Sequence, residues 1–271
     1  MPLTTRPAAA EDDAVTVEIL RLGDLSTRQP AAVAFYRSQP NSRAFIGSFD
    51  GEPVAVGLGV HFGVAGWVGN IAVHPDHRRR GFGTAMTEHV AAWLQARGAR
   101  TVLLTATAEG SRVYERVGFV EDGGAVYGTW ARREGAREPN GVGGLPVVRQ
   151  GAIAEALTLD EQATGEDRSA YLEPFAGRIR VTDGGYRVGM PWGAGPIVAA
   201  SRDAGRTLMF DMLREDRHPR MGFPDSNHDA VRAAEDAGFE RIAEDVRMRL
   251  GPPVGGFDPQ KIWGVLSFVC G

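Results

Sequence analysis

The sequence predicts an α/β protein, more narrowly an α+β mixed sheet, built from two consecutive domains. Three observations predict it. Strand and helix signals alternate through the first half. Residues 133–145 (REGAREPNGVGGL) then run on in glycine and charge without any periodicity, the composition of a linker. Finally, residues 100–119 (RTVLLTATAEGSRVYERVGF) align without a gap with 220–239 (RMGFPDSNHDAVRAAEDAGF). Both segments begin with arginine, carry a matching arginine (Arg112 and Arg232) and end in Gly-Phe, although few other positions agree. A length of 271 residues is itself more natural for two domains than for one.

In the first half, Arg43–Phe49 reads as a strand and Asp50-Gly51 as the turn of a hairpin, because glycine tolerates positive φ. Val54–His61 is the returning strand. Trp67–Val73 is a third, ended by Pro75, which has no N–H to give to a ladder. A helix is expected from Thr84: Met86, Val90, Trp93 and Leu94 fall on one face of a 3.6-residue period, with Glu88, Gln95 and Arg97 off it. Gly98 stands where a C-terminal cap belongs. Thr101–Thr105 is a short strand, and a short helix through Val113, Tyr114 and Val117 closes at Gly118-Phe119.

In the second half, a helical stretch is expected from Ile153 to Phe175. Strands follow at Ile179–Val181, Tyr186–Met190 and Pro196–Ala200, a helix at Arg206–Leu213, and a closing strand at Ile262–Phe268.

Composition excludes several classes. With 43% hydrophobic and 24% charged residues the chain suits a globular protein. A formal net charge of -4 provides no basic field for nucleic acid. Cys270 is the lone cysteine, so neither an internal disulfide nor a cysteine-based zinc site is expected. The six histidines show no metal-ligand spacing, and no metal is expected. No run reaches the ~18 apolar residues of a membrane span. The opening residues Met1 to Asp13 hold no apolar signal core. A cytoplasmic protein is the expectation.

The segment with chemical content is Val73-His74-Pro75-Asp76-His77-Arg78-Arg79-Arg80-Gly81-Phe82-Gly83-Thr84. It joins a strand to an amphipathic helix, and such a junction offers unpaired N–H groups and the positive end of a helix dipole to phosphate. Gly81 and Gly83 let the backbone approach an anion closely, and Arg78, Arg79 and Arg80 can add charge. A dinucleotide fingerprint fails, because the third position after Gly83 is Met86. A Walker loop fails too, because the only lysine is Lys261. A solvated basic turn is the bland alternative, but strand, proline, RxxGxG and helix in that order is a narrower pattern.

This segment resembles motif A of the GNAT N-acetyltransferase superfamily, Arg78-x-x-Gly81-x-Gly83 matching its pyrophosphate signature. The resemblance extends over residues 3–130: Leu3–Asp13 is similar to the opening strand and helix start, Phe45–Val56 to the hairpin, and Tyr114–Phe119 to the YExxGF element. It implies a mixed, mostly antiparallel sheet flanked by helices, and acetyl-CoA as co-substrate. By position, Ile71, Ala72 and Val73 would pair with the pantetheine amides. Arg78, Arg79, Arg80, Gly81, Phe82, Gly83 and Thr84 would hold the pyrophosphate. Tyr114 would be the general acid that protonates the departing thiolate; a half-buried core tyrosine is its structural alternative.

Two departures stand out. Ala108 replaces an asparagine that the family often has six residues before the tyrosine, and Trp67 replaces a glutamate base that some relatives carry. His61, His74, Asp76 or a water chain could deprotonate the amine, and the base stays unassigned. The implied mechanism is direct transfer in a ternary complex, with N–H groups near Ile71–Val73 stabilising the oxyanion.

Residues 146–271 resemble the C-terminal domain of acetyltransferases with two GNAT-like domains, through Gly195–Ala199, Gly238-Phe239, Arg247–Arg249 and Ile262–Gly264. This second copy lacks RxxGxG after Ile197–Ala200, and Ala234 stands at the place of Tyr114. Either it shapes an acceptor pocket or it serves structure or dimerisation. The expected organisation is therefore a catalytic domain at 1–132, a linker at 133–145 and a degenerate domain at 146–271. The leading functional expectation is N-acetylation of a small-molecule primary amine. Acylation of a protein N-terminus or lysine, and a non-catalytic acyl-CoA sensor, are the alternatives.

Overall fold

A computed structural model describes residues 2–23, 25, 29–136, 146–215 and 219–267. The chain forms two compact units, 1–122 with 248–253, and 123–247 with 254–269. The units thus interleave along the chain, unlike the linear division expected at 133–145. Residues 137–145 of that expected linker lie outside the described residues.

In the first unit, β1 (Thr4–Pro7), α1 (Asp13–Leu22), α2 (Pro30–Ser38), β2 (Ser42–Phe49), β3 (Glu52–Phe62), β4 (Ala65–Val73), α3 (Phe82–Ala96), β5 (Thr101–Ala106) and α4 (Ser111–Val117) follow one another. The sheet runs β1-β2-β3-β4-β5. It is antiparallel except for β4 and β5, which run parallel. Asp50 and Gly51 both have positive φ (53° and 88°), the type I′ geometry that matches strand twist. One face receives α1 and α2, where Ile19, Leu20 and Val33 meet Ile46, Val56 and Ala72. The other receives α3. Glycines on β3 leave room for it: a Cβ on Gly57 would meet Met86 at 2.7 Å, and one on Gly59 would meet Trp93 at 2.9 Å. Met86, Val90 and Leu94 are fully buried, and Trp93 is half-buried under the Arg97 guanidinium. The helix stops at Gly98, φ 100°.

β6 (Val120–Arg132) leads into the second unit, which contains β7 (Arg149–Gln150), α5 (Ile153–Thr164), α6 (Ser169–Leu172), β8 (Ile179–Thr182), β9 (Gly185–Val188), β10 (Ile197–Ala199), α7 (Arg202–Glu215), β11 (Arg220–Pro224), α8 (His228–Asp236), β12 (Phe239–Leu250) and β13 (Ile262–Gly264). One sheet has the order β13-β10-β9-β8-β7, and β11 pairs antiparallel with β6. Met248–Leu250, the end of β12, belongs to the first unit. The aligned segments are both strand-helix units, β5-α4 and β11-α8. Each helix is followed by a left-handed glycine (Gly118 at φ 101°, Gly238 at φ 82°) and a buried phenylalanine.

Four expected elements differ, the first being the helix expected from Arg206, which already begins at Arg202. The single helix over 153–175 is broken. α5 ends at Thr164 because Gly165 turns left-handed (φ 68°), then α6 and a 3-10 turn at Glu173–Arg178 follow. The strand over 186–190 stops at Val188, and Met190 makes only an isolated bridge to Gly193. The strand over 262–268 stops at Gly264, and Phe268 lies outside the described residues.

A Cβ at Gly165 would fall 2.0 Å from the carbonyl oxygen of Gly255. Gly165→Ala should therefore cost about 2 kcal/mol, from left-handed strain plus overpacking. Equilibrium urea unfolding would measure it, and a wild-type midpoint would show that the 165–255 contact is not made.

A buried ionic network fills the second unit beneath α5. Asp160 accepts from the Tyr186 hydroxyl at 2.5 Å, and Arg168 donates to Glu166 at 2.8 Å. Burial pushes the Asp160 carboxyl up, against the pull of Arg168.

Candidate active site

The site is built where β4 ends and α3 begins. β4 carries a bulge: Leu58 faces Gly69 and Val56 faces Ala72, so Gly57 alone spans Asn70 and Ile71. Asn70 accordingly takes a positive φ of 52°, and the bulge bends the strand's last residues. The parallel pairing with β5 covers only Ala65–Trp67 against Thr101–Leu103. Beyond it, the end of β4 borders a cleft of about 380 Å³.

Pro75 ends the strand pattern as expected and opens a 3-10 turn, Pro75–His77. Arg79 (φ 61°) and Gly81 (φ 82°) are both left-handed, which folds the loop tightly onto the start of α3. The Arg78 side chain braces this corner, donating from Nε to the Val73 carbonyl (3.1 Å) and from Nη2 to the Leu22 carbonyl (3.2 Å). The helix ladder begins with Ala85 N–H to the Gly81 carbonyl at 3.0 Å. The N–H groups of Phe82, Gly83 and Thr84 precede it, and no side chain caps the helix. These are the orphan donors of a helix start, and they lie at the cleft.

The cleft brings together Ile71, Ala72, Val73, Arg78, Arg79, Gly81, Phe82, Gly83, Thr84 and Tyr114. Arg80 is the exception among the expected residues. It is absent from the lining, and its guanidinium sits 5.5 Å over the Phe49 ring. The left-handed turn at Arg79 separates the directions of the neighbouring side chains.

On the opposite wall, α4 places Val113, Tyr114 and Arg116. A Cβ built on Gly83 would meet nothing closer than Val113 Cγ1 and Val73 Cγ2, both at 3.9 Å, so that side of Gly83 faces the cleft. Tyr114 is half-buried, with its ring edge-on to Phe119 at 6.1 Å. Gly23, His77, Gly110, Val113 and Arg116 line the cleft without having been expected there. Arg116 lies three residues after Val113 and so shares its helix face, but with Val113 itself unexpected the sequence offered no signal for either.

The departures also have a structural outcome. Trp67 is 1% exposed and belongs to the core. The Ala108 carbonyl accepts from the Ser111 hydroxyl at 3.0 Å, which helps start α4. His61, whose imidazole pKa burial and Arg97 hold below its ordinary value, is not in the lining, nor are His74 and Asp76. His74 Nδ1 instead accepts from the Asp76 N–H at 3.4 Å. Among the described residues, no group of three or more His, Cys, Asp or Glu could hold a metal ion. Among the same described residues, no helix is long and apolar enough to cross a membrane.

The arrangement suits a ligand with clustered negative charge at one end and an extended polar arm that can lie along β4. Residues 12–119 match the acetyltransferase (GNAT) family, and residues 156–263 match an acetyltransferase (GNAT) domain. The chain therefore belongs to the GNAT acetyltransferase family, in a tandem form with two such domains.

No curated protein matches significantly. Among solved structures, a protein from Pyrococcus horikoshii, described as a candidate acetyltransferase, superposes with a TM-score of 0.85 at 21% identity. It covers 99% of this chain and 96% of its own. A GCN5-related N-acetyltransferase from Sphaerobacter thermophilus gives 0.65 at 16% identity, over 93% of this chain and 97% of its own. A tandem GNAT protein from the clavulanic acid biosynthesis pathway gives 0.63 at 16%, over 93% and 99%. At these identities the likeness is one of fold.

Proposed function

We propose that the first unit is an acetyl-CoA-dependent N-acetyltransferase site whose acceptor is the primary amine of a small molecule. The observation that carries this reading is one cleft holding both the open amides at the start of α3 and Tyr114. The cleft's residues fit such a co-substrate. Uncapped N–H groups and the Cβ-free side of Gly83 suit a diphosphate, and the end of β4 at Ile71–Val73 suits a polyamide arm. The co-substrate supplies a thioester whose acyl carbon is open to attack by a neutral amine.

The chain's own groups do the rest. Gly81–Thr84 bind through their backbone, with Arg79 adding charge. Arg78 holds the end of β4 and the end of α1 in place rather than reaching outward. Tyr114 Oη gives its proton to the departing sulfur. The first unit, 1–122 with 248–253, is the catalytic domain in this reading, and the second unit is the degenerate one. Thiol release measured over a panel of small amines, N-terminal peptides and lysine peptides tests the reading. Turnover on small amines is expected. Turnover only on peptides would replace the acceptor class, and tight binding without turnover on any amine would replace catalysis with sensing.

Arg116 stands one helical turn beyond Val113, which flanks Gly83, so it is placed to meet a phosphate outside the diphosphate. Arg116→Gln is expected to weaken CoA about tenfold, one charge-assisted contact at an exposed position. Dephospho-CoA should be affected little. Equal losses for the two ligands in calorimetric titrations would remove that role.

A further inference from the structure

The two units repeat one order of elements: β4, α3, β5 and α4 in the first, β10, α7, β11 and α8 in the second. In the first unit β4 pairs directly with β5, and past Trp67 its edge borders the cleft. In the second unit β10 takes β9 on one edge and β13 on the other, with Ile197 opposite Gly264 and Val198 opposite Ile262. β11 lies beyond β13, reached where the Val265 N–H donates to the Gly222 carbonyl at 2.7 Å. A strand from the last part of the chain thus stands between β10 and β11, on the edge that corresponds to the cleft edge of β4.

Two observations show that this strand is firmly seated, and a third that the phosphate loop is missing beside it. Trp263 is 2% exposed, and its ring lies against the first turn of α7. A Cβ on Gly205 would fall 2.1 Å from the indole. Asn227, 1% exposed, donates from Nδ2 to the carbonyls of Gln260 (2.9 Å) and Ile262 (3.0 Å). The same side chain accepts from the Ala230 N–H at 3.1 Å, so one buried amide ties the entry of β13 to the start of α8. Lastly, only Ala200 and Ser201 separate β10 from α7, whereas His74–Gly81 separate β4 from α3. Between β10 and α7 the second unit has no loop with which to wrap phosphates.

We infer that β13 is a built-in occupant of the second unit's cofactor slot, with Trp263 as its plug, so that the chain takes one acyl-CoA rather than two. The identity of the ligand rests on the function proposed above; the closure of the slot does not. Strand pairing gives β13 the backbone contacts that an extended ligand would make when added to a sheet edge. The second family match then marks a fold retained without its ligand.

Two measurements on the full chain test this. Calorimetric titration with acetyl-CoA should give one equivalent, weakened at least about 100-fold in Gly83→Glu. A second equivalent would overturn the inference; one undiminished equivalent in that variant would overturn it if β13 exchange also changes on binding, and would otherwise remove the first unit's cradle instead. Hydrogen exchange followed by mass spectrometry should show the amides of Ile262–Val265 slowed at least about 100-fold relative to an unstructured chain. That protection should be the same with and without saturating acetyl-CoA. Exchange at loop-like rates, or protection lost when acetyl-CoA is added, would mean that the slot is open or contested. If no acetyl-CoA binds anywhere, the proposed function fails, and the exchange of β13 in the free protein still decides whether the slot is closed.

Discussion

In Gly83→Glu, acetyl-CoA affinity is expected to fall at least about 100-fold while the protein stays folded, a loss of roughly 3 kcal/mol. The two effects separate because the new side chain has no protein neighbour to disturb. A Cβ there finds only Val113 and Val73 at 3.9 Å, so the chain beyond it enters the cleft. Within the helix the change is favourable. A carboxylate in the first turn interacts well with the helix dipole, by about 0.3–1 kcal/mol, and glutamate exceeds glycine in helix propensity by about 0.5 kcal/mol. The thermal midpoint should therefore stay level or rise slightly. A diphosphate meets the reverse: its closest amides are screened, and a negative charge stands where it must sit. Two lost charge-assisted hydrogen bonds at about 1.5–3 kcal/mol each already reach the stated loss. Gly83→Ala adds bulk without charge and should give a smaller loss in the same direction. Unchanged affinity in a folded Gly83→Glu protein would remove the phosphate cradle and the functional reading with it.

The strand, loop and helix start around Gly83 were legible because local backbone chemistry dictates them. A proline that stops a strand, glycines that open a loop and an apolar period that starts a helix are all decided within a few residues. Asp50-Gly51 and Gly98 were legible on the same grounds, since a turn and a helix end both need left-handed backbone. What escaped was set at long range. Gly165 breaks the helix expected over 153–175, and its contact, the Gly255 carbonyl, lies far along the chain. β12 carries no alternating pattern because Glu240 to Glu244 are all exposed on its first half. The closing strand was expected, but nothing local shows that β10 is its partner.

The site divides in the same way. Every expected backbone contributor lines the cleft. Among the arginines, side-chain direction decided the outcome. Arg78 and Arg79 both line the cleft, but Arg78 gives its guanidinium to two carbonyls, and Arg80 turns to Phe49. Three consecutive guanidiniums look alike in a sequence. Two left-handed residues in the loop assign them three different tasks.

Tyr114→Phe is expected to lower kcat by about 10²-fold or more, in the range typical of a lost general acid. The KM for acetyl-CoA should stay within about twofold, since uniform binding contacts are kept. The reason lies in what the substitution leaves in place. The ring remains edge-on to Phe119 and beside Gly110, where a Cβ would meet Tyr114 Cε2 at 3.5 Å. These ring contacts of α4 are therefore kept, and the hydroxyl is what the substitution removes. Without it the thiolate must leave unprotonated, so the rate becomes sensitive to the acidity of the thiol. Acetyl thioesters of more acidic thiols on the same carrier should then recover part of the lost rate in the variant and gain little in the wild type. A structural role for the hydroxyl would instead lower the thermal midpoint and raise KM, with no dependence on the leaving group. Wild-type kcat in Tyr114→Phe would transfer the proton to another donor, and the cleft would keep its cofactor while losing its assigned acid.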